Sequence, residues 1–138
     1  MQPGAATLLG SPVNLALVDR DCYVVAGVAD HLCPWESCYR SPALLGGATR
    51  FVLSTSGHIA AMVNPPGNEK ASYQVGGAGT TDAQEWLRDA EPRRGSWWPD
   101  YAAWLAERCG PEKDAPAEPG GAGLAALCAA PGTYVYDR

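Results

Sequence analysis

Asp30 and His58 are the two residues of this chain whose types and setting could do chemistry together. A histidine held by a carboxylate can draw a proton from a hydroxyl or thiol near neutral pH, because the unperturbed imidazole titrates close to that range. The carboxylate fixes the tautomer and the ring orientation, so the pair amounts to two thirds of a nucleophile–acid–base triad. The third member is not evident: neither Gly-x-Ser-x-Gly nor Gly-x-Cys-x-Gly occurs in the 138 residues. Spacing alone leaves a plainer reading open, a capping aspartate and a surface histidine. His31, beside Asp30, is expected to point away from whatever Asp30 faces and to be structural or solvent-facing.

Each member of the pair follows an apolar, strand-like run. Cys22–Val28 is apolar without alternation, the pattern of a strand buried on both faces of a parallel sheet, and Arg50–Ser54 is its counterpart. Between them Pro34 fits the first turn of a helix, with Trp35, Cys38 and Tyr39 at helical spacing. Pro42 should interrupt that helix, Ser41 cap a second piece, and Gly46-Gly47 close it in the left-handed conformation. Gly57 is expected to turn the backbone sharply so that His58 projects from the strand end. This is β-α-β spacing, and an acid followed by a histidine on such loops is the order found in α/β-hydrolase folds. The expected class is therefore α/β: the carboxyl-terminal part of an α/β-hydrolase fold, its last parallel strands and flanking helices, incomplete on its own.

Elsewhere the pattern is less regular. Leu8-Leu9 and Pro12–Leu17 read as an irregular lead-in, and 64–80 as a surface excursion around one short β-like run, Ala71–Val75. Thr81-Asp-Ala-Gln84 is a capping-box pattern for a helix through Arg88. A second helix should begin near Pro99, carry Tyr101, Trp104, Leu105 and Arg108 on one side, and end at Gly110. The expected division is 1–110 as catalytic-domain part, 111–123 as a flexible linker and 124–138 as a carboxyl-terminal strap containing the β-forming Pro131–Tyr136.

Composition narrows the function classes. A net charge of -5 and a pI near 4.8 argue against nucleic acid or an anionic membrane as main partner. No secretory leader or membrane-spanning stretch is read, so the expectation is a soluble, cytoplasmic chain. Five scattered cysteines suit a reducing compartment rather than a disulfide framework. Cys33 and Cys38 near His31 lack a C-x-x-C, which disfavours zinc, and no phosphate loop or metal-ligand run points to a cofactor.

Several strings carry a family resemblance. Val25-Ala-Gly-Val-Ala-Asp-His31, Pro34-Trp35, Cys38-Tyr-Arg-Ser41, Leu44-Leu-Gly-Gly47 and Arg50-Phe-Val-Leu-Ser-Thr-Ser-Gly-His-Ile59 resemble the carboxyl-terminal part of poly(3-hydroxyalkanoate) synthases. So do Val63-Asn-Pro-Pro-Gly-Asn68, Lys70-Ala-Ser-Tyr73, Glu85-Trp-Leu87, Gly95-Ser-Trp-Trp-Pro-Asp100 and Ala130-Pro-Gly-Thr-Tyr134. The match runs in order from about Leu9 to the end. The resemblance implies an α/β-hydrolase-fold acyltransferase that joins 3-hydroxyacyl-CoA units into an intracellular polyester and releases coenzyme A. The thioester is substrate, and no resident cofactor is implied. Its triad is Cys, Asp and His, with Asp30 and His58 matching the acid and base positions. The histidine would activate the cysteine for attack on the thioester, and the aspartate would orient it and help activate the substrate hydroxyl. The family nucleophile sits in a Gly-x-Cys-x-Gly elbow ahead of the acid. Cys22, Cys33, Cys38, Cys109 and Cys128 all fail that place by order or context.

The implied partners are 3-hydroxyacyl-CoA, the growing polyester, and a synthase chain or amino-terminal half that supplies the nucleophile, with the polyester granule surface as the implied location. Alone, the chain is expected to be inactive. Two other readings stay open: a non-catalytic module that associates with an intact synthase, and a fragment of another α/β-hydrolase such as an esterase. The Asn64-Pro-Pro and Ser96-Trp-Trp-Pro strings speak against the esterase. Pro42 and Cys33 depart from the family pattern, which bears on local helix geometry rather than on chemistry.

Overall fold

Side-chain alternation along three neighbouring strands decides the layers of this molecule. The computed structural model describes residues 6–118, 120–121 and 123–137, and the chain divides into two units, Met1–Arg108 and Cys109–Arg138. In the first unit, β1 (Ala6–Leu8) and β2 (Ser11–Val13) pair as an antiparallel hairpin followed by a 3-10 turn at Leu15–Leu17, in place of the expected irregular lead-in. Then come β3 (Cys22–Gly27), α1 (Trp35–Tyr39), β4 (Thr49–Ser54), α2 (Ala60–Val63), β5 (Ser72–Gly77), α3 (Ala83–Asp89), β6 (Glu91–Arg94) and α4 (Trp98–Cys109).

The main sheet has the order β3-β4-β5-β6. β3 and β4 are parallel, as the β-α-β spacing requires, with Cys22 opposite Thr49 and Gly27 opposite Ser54. β4–β5 and β5–β6 are antiparallel, so the sheet is mixed. Because successive side chains point to opposite faces, Val24, Ala26, Phe51 and Leu53 face one layer with Trp35, Tyr39 and Trp86 from the helices α1 and α3. Tyr23, Val25, Val52, Tyr73 and Val75 face the other, against Trp97 and Tyr101. The rings of Tyr39 and Trp86 lie 5.0 and 4.9 Å from Phe51, both edge-on, a geometry that aromatic quadrupoles favour. Phe51 is fully buried, and truncating it to alanine should cost about 3–5 kcal/mol.

Several expectations need correction. The β-like run read within 64–80 is β5, but it lies inside the sheet with Tyr73 and Val75 buried instead of belonging to a surface excursion, and only the loops on either side of it are irregular. β6, whose Glu-Pro-Arg-Arg sequence has no apolar side chain other than that of Pro92, was not foreseen. The helix after Asp30 does break into two pieces, α1 and a 3-10 turn at Ser41–Leu44, but Ser41 lies inside the second piece and no side chain caps it. Gly46 and Gly47 do not take positive φ. They are small because a Cβ would meet the Ala16 and Arg20 carbonyl oxygens at 2.2 and 2.1 Å, and both amides donate to the Val18 carbonyl. Asp82 rather than Thr81 caps α3, accepting from the Gln84 and Glu85 amides. α4 ends at Gly110, which adopts φ 76°.

In the second unit, β7 (Gly120–Gly121) and β8 (Leu124–Ala125) form a short antiparallel hairpin. Tyr134–Tyr136, in the segment with β-forming residues, is a 3-10 turn. No helix among the described residues is long and apolar enough to cross a membrane.

Candidate functional site

β3 and β4 run side by side in the same direction, so their carboxyl ends deliver two loops to one edge of the sheet. The Val28 amide donates to the Ser54 carbonyl and the Ala29 amide to the Ser56 carbonyl, which ties the two loops together directly beyond the ladder. Asp30 rides on the first loop and His58 on the second. His58 Nδ1 lies 3.9 Å from Asp30 Oδ1. That is ion-pair distance and too long for a hydrogen bond. The carboxylate side chain is only 10% exposed and the imidazole 36%.

The acid is held by its own turn. Asp30 Oδ1 accepts from the Leu32 and Cys33 amides at 2.9 and 3.0 Å, and the Asp30 amide donates to the Gly27 carbonyl. The Cys33 amide, then the Leu32 amide and the nearby His58 and His31 imidazoles, hold the carboxyl below the usual carboxylate range against the opposing effect of burial. The group is therefore a carboxylate at neutral pH. The base is less tied: Nδ1 is buried without a hydrogen-bond partner. Hydrogen bonds of acid–base pairs are often long without substrate and tighten when it binds.

The turn that aims His58 is not made by Gly57. The left-handed residue is Ser56, at φ 87°, an uncommon conformation for a side-chain-bearing residue. Gly57 is instead in a tight place, since a Cβ there would sit 3.3 Å from the Ala29 carbonyl oxygen. His31 is exposed, as expected, yet it does not turn away from the pair: its ring packs edge-on against His58 with centroids 5.2 Å apart. Beside the His58 loop lies a cavity of about 210 Å³ lined by Thr55, Ser56, Ala60, Asn64, Asn68 and Lys70 among others. Hydroxyls, carboxamides and one ammonium face it, a setting for a polar ligand.

Cys22 is on β3, Cys38 on α1, and Cys33 in the turn before α1 rather than on the helix; Cys109 closes α4 and Cys128 lies in the second unit. Burial, then Cys33 and Asp30, pushes the Cys38 thiol up, away from the thiolate that attack requires. Among the described residues no cluster of three or more His, Cys, Asp or Glu side chains could hold a metal ion.

No protein-family model matches the chain. It is 46% identical over 136 residues, 99% of its length, to poly(3-hydroxyalkanoate) polymerase 2 of Ectopseudomonas oleovorans. Identity to the poly(3-hydroxyalkanoate) polymerase subunit of Cupriavidus necator is 45% over 136 residues, and to that of Rhizobium meliloti 38% over 138 residues, covering 99% and 100% of this chain. The chain is homologous to a part of the poly(3-hydroxyalkanoate) polymerases. It spans about a quarter of the length of those relatives, 24%, 23% and 22% respectively. The resemblance of the Ala-Asp-His and Ser-Gly-His-Ile strings is thus one part of a similarity to the polymerases that extends over nearly the whole sequence.

Proposed function

We propose that this chain is the carboxyl-terminal part of an α/β-hydrolase-type acyltransferase, a poly(3-hydroxyalkanoate) polymerase, and supplies the acid and base of its triad. The observation that carries the reading is the meeting of Asp30 and His58 at the ends of two parallel strands, in a chain so similar to the polymerases. The nucleophile is a cysteine on a Gly-x-Cys-x-Gly elbow of another polypeptide segment. His58 takes the thiol proton, because the thiolate is the form that attacks a thioester. Asp30 stays ionised and stabilises the imidazolium that forms. Attack on a 3-hydroxyacyl-CoA then forms an acyl-cysteine and expels coenzyme A thiolate, which takes up the proton from His58. In the next half-cycle His58 accepts the proton of a 3-hydroxyl group, whose oxygen attacks the acyl-cysteine; the ester C–O bond forms as the C–S bond breaks, and the departing cysteine thiolate takes the proton back from His58.

A purified chain should release no coenzyme A from 3-hydroxybutyryl-CoA, and appreciable turnover would sink the need for an outside nucleophile. Co-expression with the remaining portion of a relative should restore turnover. In that complemented enzyme His58→Ala should lower kcat by about 10²–10⁴-fold, the usual contribution of a positioned general base, and Asp30→Asn by less. Unchanged turnover in either variant would remove that residue from the reaction. The same assay separates the catalytic reading from that of an associating module, which would tolerate both substitutions.

A further inference from the structure

We infer that Gly27 is a positioning residue, whose missing side chain lets the loops bearing Asp30 and His58 close on each other until carboxylate and imidazole meet. Gly27 is buried at the last position of β3, opposite Ser54 of β4. A Cβ built there would stand 2.9 Å from the Ser56 carbonyl oxygen, 3.0 Å from the Ala61 Cβ and 3.4 Å from the Gly57 carbonyl carbon. None of these atoms is the free end of a flexible side chain. The Ser56 oxygen also accepts the Ala29 amide, and Ala61 is fully buried with its amide on the Gly57 carbonyl. A methyl group at position 27 must therefore push the Ser56–His58 loop away from the Asp30 loop. Gly27 has no positive φ, so its need for glycine is one of space and not of backbone conformation. From the other loop, Gly57 meets the Ala29 carbonyl in the same way at a looser 3.3 Å. The Asp30 carboxylate keeps its Leu32 and Cys33 amides whatever the His58 loop does, because both belong to its own turn.

The catalytic meaning of this device rests on the proposed roles of Asp30 and His58; the geometry does not. The test is NMR on the chain itself, with two readouts. One is the cross-peak between the His31 and His58 ring protons. The other is the acid titration of the Asp30 carboxyl carbon, which the His58 imidazole shifts downward together with His31. The thiols of Cys33 and Cys38 are its other ionisable neighbours. In Gly27→Ala the cross-peak should vanish and the Asp30 midpoint should rise most of the way to that of His58→Ala. Both readouts at wild-type values in a folded Gly27→Ala would overturn the inference. Should Gly27→Ala not give a dispersed spectrum, Gly27→Ala combined with Ala61→Gly decides, since it relieves the Ala61 Cβ contact and keeps the one to the Ser56 carbonyl oxygen: a lost cross-peak and a raised midpoint support the inference, and both readouts at wild-type values overturn it. Neither readout involves turnover, so failure of the proposed chemistry would leave the result standing.

Discussion

Two aspartates on this small sheet are built to opposite specifications. Asp100, in the first turn of α4, is 5% exposed and fully engaged. It takes Tyr23 O–H at 2.7 Å and Arg50 Nε at 2.9 Å on one oxygen, and Arg50 Nη2 at 2.6 Å and Arg93 Nη1 at 2.9 Å on the other. These contacts join β3, β4, β6 and α4 through a single carboxylate. Asp30 is nearly as enclosed, but only one of its oxygens is committed, to amides of its own turn, while an imidazole waits 3.9 Å away. Burial pushes the Asp100 carboxyl up, yet the Arg50 and Tyr23 hydrogen bonds and the two guanidinium charges together bring it below the usual range. Asp100 is saturated by its partners, whereas Asp30 keeps one oxygen without a hydrogen bond among the described residues, which is the free capacity the proposed acid role would draw on.

The largest effect should come from emptying the saturated site. Asp100→Ala leaves Arg50 with its charge partly buried and unpaired, and removing one partner of such a pair costs about 3–5 kcal/mol. Urea denaturation should show the loss in the midpoint with little change in slope. Tyr23→Phe removes one donor from the same carboxylate and should cost about 1 kcal/mol. If Asp100→Ala unfolded no more readily than Tyr23→Phe, the cluster would not be the clamp its geometry describes.

Acid provides a second way to separate the two regions. The Asp100 carboxyl titrates lower folded than unfolded, so its stabilisation is present above the unfolded value near 3.8. That stabilisation is lost as pH falls through the folded value. Wild-type stability should decline below about pH 4, and Asp100→Asn should flatten part of that decline. An equal acid slope in both proteins would mean that other carboxylates govern the transition.

How much of this was legible in the sequence follows the same division. The Asp30–His58 pair could be read because β3 and the centre of β4, Phe51–Leu53, are apolar runs that give way within a few residues to polar loops, and because proline and glycine punctuated the crossover. β5 was legible as a short β-like run, but not as an inner strand of the sheet: Ser72-Tyr-Gln-Val-Gly-Gly sits among turn formers, although its alternating Tyr73 and Val75 carry the strand period. β6 offered no apolar signal beyond Pro92, since Glu91 and Arg93 hold it through charge and its backbone holds it to β5. The Asp100 clamp spans residues 77 positions apart in the chain at its widest, Tyr23 to Asp100, which no local pattern reports. An acid in the first turn of α4 was the one available hint, because it suits the positive end of the helix dipole. Ser56 was overlooked because the glycine after it looked like the natural bearer of the turn. Gly27 was overlooked because a glycine ending a strand carries no chemistry of its own.

The smallest expected effect belongs to Asp30→Asn, and it is the most telling for the comparison. Asparagine Oδ1 can still accept from the Leu32 and Cys33 amides, so the turn that holds position 30 keeps its hydrogen bonds. What disappears is the negative charge facing His58, which lies across a gap and supports little of the fold. The urea midpoint should therefore stay close to wild type, while the complemented enzyme loses turnover. Asp100→Asn should show the reverse pairing, a lowered midpoint with no direct part in turnover once the protein is folded, because its carboxylate faces two guanidinium groups and a phenol rather than the His58 loop. A midpoint for Asp30→Asn as low as that of Asp100→Asn would make Asp30 a second structural clamp and remove the distinction between the two carboxylates.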